Sequence, residues 1–386
     1  MKQNIVKTLC TGCTACSSAC PKNCITIMKD ENSFPFPHID ISVCINCGLC
    51  EKVCPVLHPE DFRHEPAAFA AYSRDDDIRM SSSSGGVFTE LAGEILAQGG
   101  AVYGAAYDEK FHVHHICVEN KKDLFRLRGA KYAQSDLDGI FRHIKNHLDN
   151  GRQILFSGTP CQTAGLKAFL QRKYENLITV DFICHSVPSP AAWQAYVKYR
   201  AQKDYNGILP VSINLRSKIT GWSRYRYANL FSYPDGTTCS IPNGESLYMK
   251  LFVNGYISRE SCAGCLFKGY SRGSDITIGD FWGVWDIAPE MDDDRGTSVV
   301  LCQSAEGAKL LQSAAHRLVI KQITVEEAGR QNTAMQSAAV PNPKRQEALN
   351  LIRNGDFDAC KAFFVPPRQS VKQKIRHVVR KIWGRQ

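Results

Sequence analysis

Eight of the seventeen cysteines in this chain fall into two runs with one spacing, Cys10-x-x-Cys13-x-x-Cys16-x-x-x-Cys20-Pro21 and Cys44-x-x-Cys47-x-x-Cys50-x-x-x-Cys54-Pro55. A 4Fe-4S cubane needs one thiolate per iron. Two-residue gaps let a tight turn present three sulfurs to three corners, and the fourth ligand must arrive from elsewhere. Where a run closes on Cys-x-x-x-Cys-Pro, its last cysteine serves the neighbouring cluster, so the two halves interlock. This assigns Cys10, Cys13, Cys16 and Cys54 to one cluster and Cys44, Cys47, Cys50 and Cys20 to the other. Paired zinc sites would use longer spacers, often with histidine, and need neither the third cysteine nor the proline. A disulfide framework belongs to small secreted domains, and a redox Cys-x-x-Cys is a single pair beside a βαβ unit. The pattern requires neither Cys24 nor His58 as a ligand, and Cys24 reads as a small buried residue.

Further along, reactive residues stand at the ends of apolar runs. Gln153–Ser157 feeds Gly158-Thr159-Pro160-Cys161-Gln162, and Leu177–Ile183 ends at Cys184-His185. In an open α/β sheet the carboxyl edge is where ligands bind. Cys262-x-x-Cys265 follows, then a strand pattern, Asp275-Ile-Thr-Ile-Gly279-Asp280, that closes on Phe281-Trp282-Gly283. Ser81–Gly86 runs straight into a helical pattern with Val87, Leu91 and Ile95 on its buried side. A serine- and glycine-rich loop at a helix amino terminus offers N–H groups and a positive dipole end to a pyrophosphate; a serine-capped polar loop would look the same. Arg128-Gly-Ala-Lys131-Tyr132-Ala-Gln134-Ser135 is a cationic segment suited to a phosphate or a flavin ring, or else a solvated turn. Cys117, Cys239, Cys302 and Cys360 read as structural.

The elements that must hold these residues follow from pattern. At 386 residues the chain accommodates a small cluster module and one large or two medium domains. Residues 1–60 form the module and 56–66, with Pro59 and Pro66 and no apolar period, a linker. Strands are expected at Ala67–Tyr72, Ala101–Tyr107 and Val113–Glu119, then near Val211–Leu215, Arg226–Tyr233, Thr237–Ile241 and Val299–Cys302. Helices are expected at Leu137–Leu148, Ala191–Arg200 and Leu247–Phe252. The fold class is α+β or α/β: a small two-cluster ferredoxin-like module, then a larger mixed α/β domain whose parts run 65–155 and 156–340, and a helical tail at 341–386.

Arg368–Arg385 carries seven Lys or Arg and no acid, so most of the net charge of +9 belongs to the tail. A body built to grip nucleic acid would spread that charge over a face, and no nucleic-acid partner is expected. No apolar run is long enough to span a membrane, the first residues lack an apolar targeting core, and free thiols at this density imply a reducing, cytoplasmic compartment. In the tail, Val371, Ile375, Val378, Val379, Ile382 and Trp383 share one helical face with basic residues on the other. That face suits peripheral contact with an anionic inner membrane face; a partner-docking helix or a solvated basic end would read alike.

The front module resembles a bacterial-type two-cluster ferredoxin domain. At Gly158-Thr-Pro-Cys161-Gln, Cys184-His185, Cys262-x-x-Cys265 and Asp275-Ile-Thr-Ile-Gly-Asp280-Phe-Trp-Gly283, roughly residues 65 to 340 resemble the family of coenzyme F420 hydrogenase and dehydrogenase beta subunits. The resemblance implies FAD, with Ser82–Phe88 and Gly129–Ser135 around it and Thr159 beside it: Ser83, Ser84, Gly85, Gly86, Lys131, Tyr132, Ser135 and Thr159. It also suggests a third 4Fe-4S cluster on Cys161, Cys184, Cys262 and Cys265, a set that a redox dithiol, a zinc site or buried thiols would equally present. The function implied is an iron–sulfur flavoprotein oxidoreductase. It would exchange electrons with a redox partner protein or ferredoxin and with a deazaflavin or other organic two-electron acceptor or donor. A relay subunit without a substrate site, or clusters in a structural or sensing role, are the competing expectations. His185 and Asp280 are the candidates for proton delivery, against hydrogen-bonding roles at strand ends.

Overall fold

The computed structural model describes residues 8–223 and 226–365. In the front module the short helix Ala15–Ala19 is followed by β1 (Ile25–Lys29) and β2 (Pro35–Ile39), which pair antiparallel with Ile25 opposite Ile39, and by the helical turn Leu49–Lys52. The two cysteine runs have the same backbone. Gly12 and Thr14 in the first, and Asn46 and Gly48 in the second, have φ values of 70°, 65°, 53° and 74°. Left-handed residues between the cysteines turn the chain tightly enough to bring sulfurs two residues apart to one side.

The body is built on an eight-stranded mixed sheet of β3 (Ala67–Ser73), β4 (Ala101–Tyr107), β5 (Val113–Val118), β6 (Ile154–Gly158), β7 (Leu177–Phe182), β11 (Ile276–Asp280), β12 (Ser298–Cys302) and β13 (Leu318–Ile323), in the order β13-β3-β12-β11-β7-β6-β4-β5. Strands β4, β6, β7 and β11 are parallel, and the outer pairs are antiparallel. Strand β6 opens with an apolar run, and Ile154, Leu155 and Phe156 are fully buried because helices cover both faces. Helix Val87–Ala97 buries Val87, Leu91 and Ile95 on one face, while Phe141, Ile144 and Leu166 fill the other. Three strands, β8 (Ser212–Ser217), β9 (Ala228–Ser232) and β10 (Thr238–Pro242), form a separate antiparallel sheet. It packs with helices Pro190–Tyr205 and Leu247–Val253 around Trp193, Tyr196, Phe231 and Tyr248.

The mixed α/β architecture and the ferredoxin-like front are those expected from sequence. The division at 155/156 falls inside β6, so the two parts of the body share one sheet. Helix Arg345–Arg353 packs on the second lobe, whereas the amphipathic stretch 368–386 lies outside the described residues. Among the described residues no helix is long and apolar enough to cross a membrane. Module and body meet closely. Cys13, Ala15 and Val53 are part of the same apolar cluster as Phe141, Phe156 and Leu166. Helix Pro160–Leu170 presents Gly165 there because a β-carbon on it would stand 2.7 Å from Cys13 Cβ. Arg142 fastens the contact by donating to the Ser17 and Ser18 carbonyls at 2.8 Å each.

Candidate functional site

Cys10, Cys13, Cys16 and Cys54 line one cavity of about 530 Å³, whose remaining wall includes Ile27 and Val56. Burial, aided by the neighbouring Cys10 and Cys54 sulfurs, pushes the Cys16 thiol up to about 12, and burial likewise raises Cys13. Thiols crowded in an apolar pocket keep their protons until a cation replaces them. Four sulfurs around an otherwise apolar space therefore fit a cluster. In the second set Cys20, Cys44 and Cys50 gather with Cys24 and with Cys16 of the first set, and the Cys24 sulfur lies 3.3 Å from that of Cys20. Cys24 is buried, as read from sequence, and Cys47 is exposed.

A second cavity, about 610 Å³ with its open mouth, adjoins the first and shares Leu9, Thr11 and Val56 with it. Cys161, Cys184, Cys262 and Cys265 all lie on its wall, with His185 and Lys268. The sheet brings them there: Cys161 opens the helix after β6, Cys184 stands just past β7, and the other two belong to the turn Glu260–Gly264 and its end. Burial raises Cys161 to about 12 against the hydroxyl of Thr159, 3.1 Å away. Lys268 Nζ donates to the Cys184 and Ala334 carbonyls at 2.5 and 2.8 Å, fixing the cavity rim. The His185 ring meets Phe252 edge-on, 5.3 Å between centroids.

The flavin candidates form one connected neighbourhood. Ser83 Oγ accepts from Ala130 N–H at 2.8 Å, joining the Ser82–Gly86 loop to the 129–135 segment. Ser135 Oγ accepts from Gln162 Nε2 at 2.9 Å, and Gln162 Oε1 accepts from Thr159 N–H at 2.9 Å, so that segment is tied to the cap of the Cys161 helix. The helix after Gly86 has no side-chain cap, and Gly86 itself is left-handed at φ 85°. Gly85 is required for packing, since a β-carbon there would lie 2.4 Å from the Ala71 carbonyl. Burial lowers Lys131 to about 7, and its ammonium donates to the Arg126 and Arg128 carbonyls. Tyr132 stands within electrostatic reach of Arg216, Tyr227 and Asp280. Asp280 is held by Arg216 at 3.0 Å, and that guanidinium lies 3.9 Å above the Tyr227 ring. Trp222 stacks on Trp282 and donates to the Ser83 carbonyl at 3.2 Å.

Several residues of this network carry no motif. Arg259, Gly165 and Arg216 find their partners Cys10, Cys13 and Asp280 more than sixty residues away, and sequence spacing does not register such contacts. Cys117, Glu119 and His147 also converge, their ligand atoms within 4.8 Å of one another, but Arg152 already ion-pairs with Glu119.

A two-cluster cysteine module docked on a mixed α/β body defines an iron–sulfur protein of the oxidoreductase class. Residues 9–57 match the 4Fe-4S dicluster domain, residues 68–141 the amino-terminal domain of the coenzyme F420 hydrogenase/dehydrogenase beta subunit, and residues 151–328 its carboxyl-terminal domain. The chain belongs to the family of coenzyme F420 hydrogenase/dehydrogenase beta subunits. It is 22% identical over 184 residues to an F(420)H(2) dehydrogenase subunit of Methanosarcina mazei, a match over 45% of this chain and 51% of that protein. The chain thus spans about half the length of this curated relative. Its front resembles a 7Fe ferredoxin of Hydrogenibacillus schlegelii, 44% identical over 50 residues, 12% of this chain and 58% of that one. Among solved structures, a chain of the F420-reducing [NiFe] hydrogenase complex of Methanosarcina barkeri aligns with a TM-score of 0.48 and 17% identity, over 79% of this chain and 93% of its own.

Proposed function

We propose that the chain is an iron–sulfur flavoprotein oxidoreductase. It moves electrons between a one-electron carrier protein, its 4Fe-4S centres and FAD, and on to or from a deazaflavin-like or other organic two-electron substrate. One observation carries the reading: the two sulfur-lined cavities adjoin, and the wall of the second continues through Thr159, Gln162 and Ser135 into the Ser83 loop. Bound FAD supplies the ability to accept electrons singly and release them as a pair.

The protein's own residues divide the remaining work. Cys10, Cys13, Cys16 and Cys54 hold the inner ferredoxin-type centre, and Cys44, Cys47, Cys50 and Cys20 the outer one. Cys47 is exposed, which supports the approach of a partner to the outer centre. Cys161, Cys184, Cys262 and Cys265 would hold a third centre in their shared cavity. Ser83, Ser84, Gly85 and Gly86 bind the pyrophosphate. Lys131, Tyr132, Ser135 and Thr159 orient the ring. His185, on the cavity wall, delivers the proton. Asp280 keeps the Arg216 guanidinium in place.

Anaerobic purification followed by iron, sulfide and flavin quantification tests this: about twelve irons and one FAD per chain are expected. About eight irons would remove the third centre, and absent flavin would end the proposal. A relay role inside a larger assembly is the second reading, favoured because the Methanosarcina mazei relative is named as a dehydrogenase subunit. Flavin-loaded protein that reduces no deazaflavin, nicotinamide or quinone without a partner would select it.

A further inference from the structure

Between the two adjoining cavities stands a cation that the reading above leaves unused. Arg259 is 3% exposed. Its Nε donates to the Cys10 carbonyl at 2.8 Å, Nη1 to Gln134 Oε1 at 2.9 Å and Nη2 to the Pro35 carbonyl at 2.9 Å, all neutral acceptors. The Phe36 ring lies 4.3 Å from the guanidinium carbon. Among the described residues no carboxylate forms an ion pair with it. Arg259 lines the second cavity beside Cys161 and Cys262 and holds the carbonyl of Cys10 in the first, and the sulfurs of these three residues favour its charge against burial. Those sulfurs belong to two different sets, one on each side.

A buried charge with only neutral partners is strongly unfavourable unless something nearby carries the opposite sign. Four thiolates around a 4Fe-4S core leave a net negative charge, and reduction adds one more electron. Resting on the reading that both cavities hold clusters, we propose that Arg259 is their shared counter-charge. It stabilises the reduced form of each and so holds both potentials above that of the same site without it. An electron arriving from a reduced one-electron carrier protein, which is oxidised in the exchange, then meets two adjacent centres poised together. The outer set, Cys20, Cys44, Cys47 and Cys50, lines neither cavity and serves as an internal reference. Arg259 is therefore a positioning residue of electrostatic kind: it touches the shells of two centres and carries no electron itself.

The test is an EPR-monitored redox titration of full-length, anaerobically reconstituted wild-type, Arg259→Gln and Arg259→Lys proteins. Each signal is assigned through Cys47→Ala and Cys265→Ala proteins. Arg259→Gln is expected to lower the reduction equilibrium of the Cys10 and Cys161 centres about tenfold each, about 59 mV for one electron, with the outer centre unmoved. Arg259→Lys, which keeps the charge while losing hydrogen bonds, restores most of the shift. Equal shifts in Gln and Lys proteins, a common shift in all three centres, or none would overturn the proposal. If Arg259→Gln loses the two flanking clusters, their retention in Arg259→Lys supports it and their loss from both variants refutes it. Eight irons in the wild-type protein would withdraw the third centre from the functional reading, and the inference would then be decided on the Cys10 centre alone.

Discussion

Replacing Gly165 with alanine tests whether the cluster module truly seats on helix Pro160–Leu170. The added β-carbon would stand 2.7 Å from Cys13 Cβ and 2.8 Å from its sulfur. Carbon contacts settle near 3.5–4.0 Å, so helix and cysteine must part by about 0.8 Å or more. Overpacking of this order costs about 1–3 kcal/mol, while alanine returns up to about 1 kcal/mol of helix propensity. The balance falls against alanine, and the strain lands on a cluster ligand. Gly93, in helix Val87–Ala97, supplies the control, because a β-carbon there meets only the Arg317 guanidinium at 3.6 Å. Gly93→Ala should stabilise by up to about 1 kcal/mol through propensity alone. Urea unfolding of the anaerobic proteins, with iron content and the EPR line shape of the inner centre, separates the two. Gly165→Ala with unchanged stability, full iron and a wild-type signal would refute the packing argument.

Three further outcomes follow from single residues. His115 donates from Nε2 to the Ser157 carbonyl at 2.9 Å, and burial lowers it to about 4. Its neutral form contributes full stability above its ordinary value near 6.5. About 3 kcal/mol is lost as the pH falls from there towards 4; the proton uptake on unfolding, which rises towards one as the pH falls from 7 to 5, should be missing in His115→Gln, and an unchanged slope would contradict this. Asp280→Asn leaves buried Arg216 without its counter-charge and should destabilise by about 3 kcal/mol; a variant that keeps its melting temperature but loses turnover would instead make Asp280 the proton donor. In metal-free protein, alkylation followed by mass spectrometry should mark exposed Cys47 before buried Cys13 and Cys16, and the reverse order would mean that the module opens without its clusters.

Much of the fold was legible because its signals are local. The apolar run at Leu177–Ile183, the proline opening the helix after Thr159 and the spacing of Val87, Leu91 and Ile95 each declare an element within a few residues. The three-stranded lobe sheet was readable strand by strand but not as a separate sheet, since nothing local says which strands pair. The role of Gly165 was invisible for the same reason: its neighbour, Cys13, is 152 positions away.

By itself the sequence determined the two ferredoxin-type cysteine runs, because ligands that close a turn must be near in chain and the left-handed residues between them are part of the code. Only tertiary structure decided that Cys161, Cys184, Cys262 and Cys265 share one cavity, and that Arg259 lies between that cavity and the next. Those meetings are set by the parallel register of β6, β7 and β11 and by the docking of the module, which are properties of packing between distant segments. No spacing rule contains them.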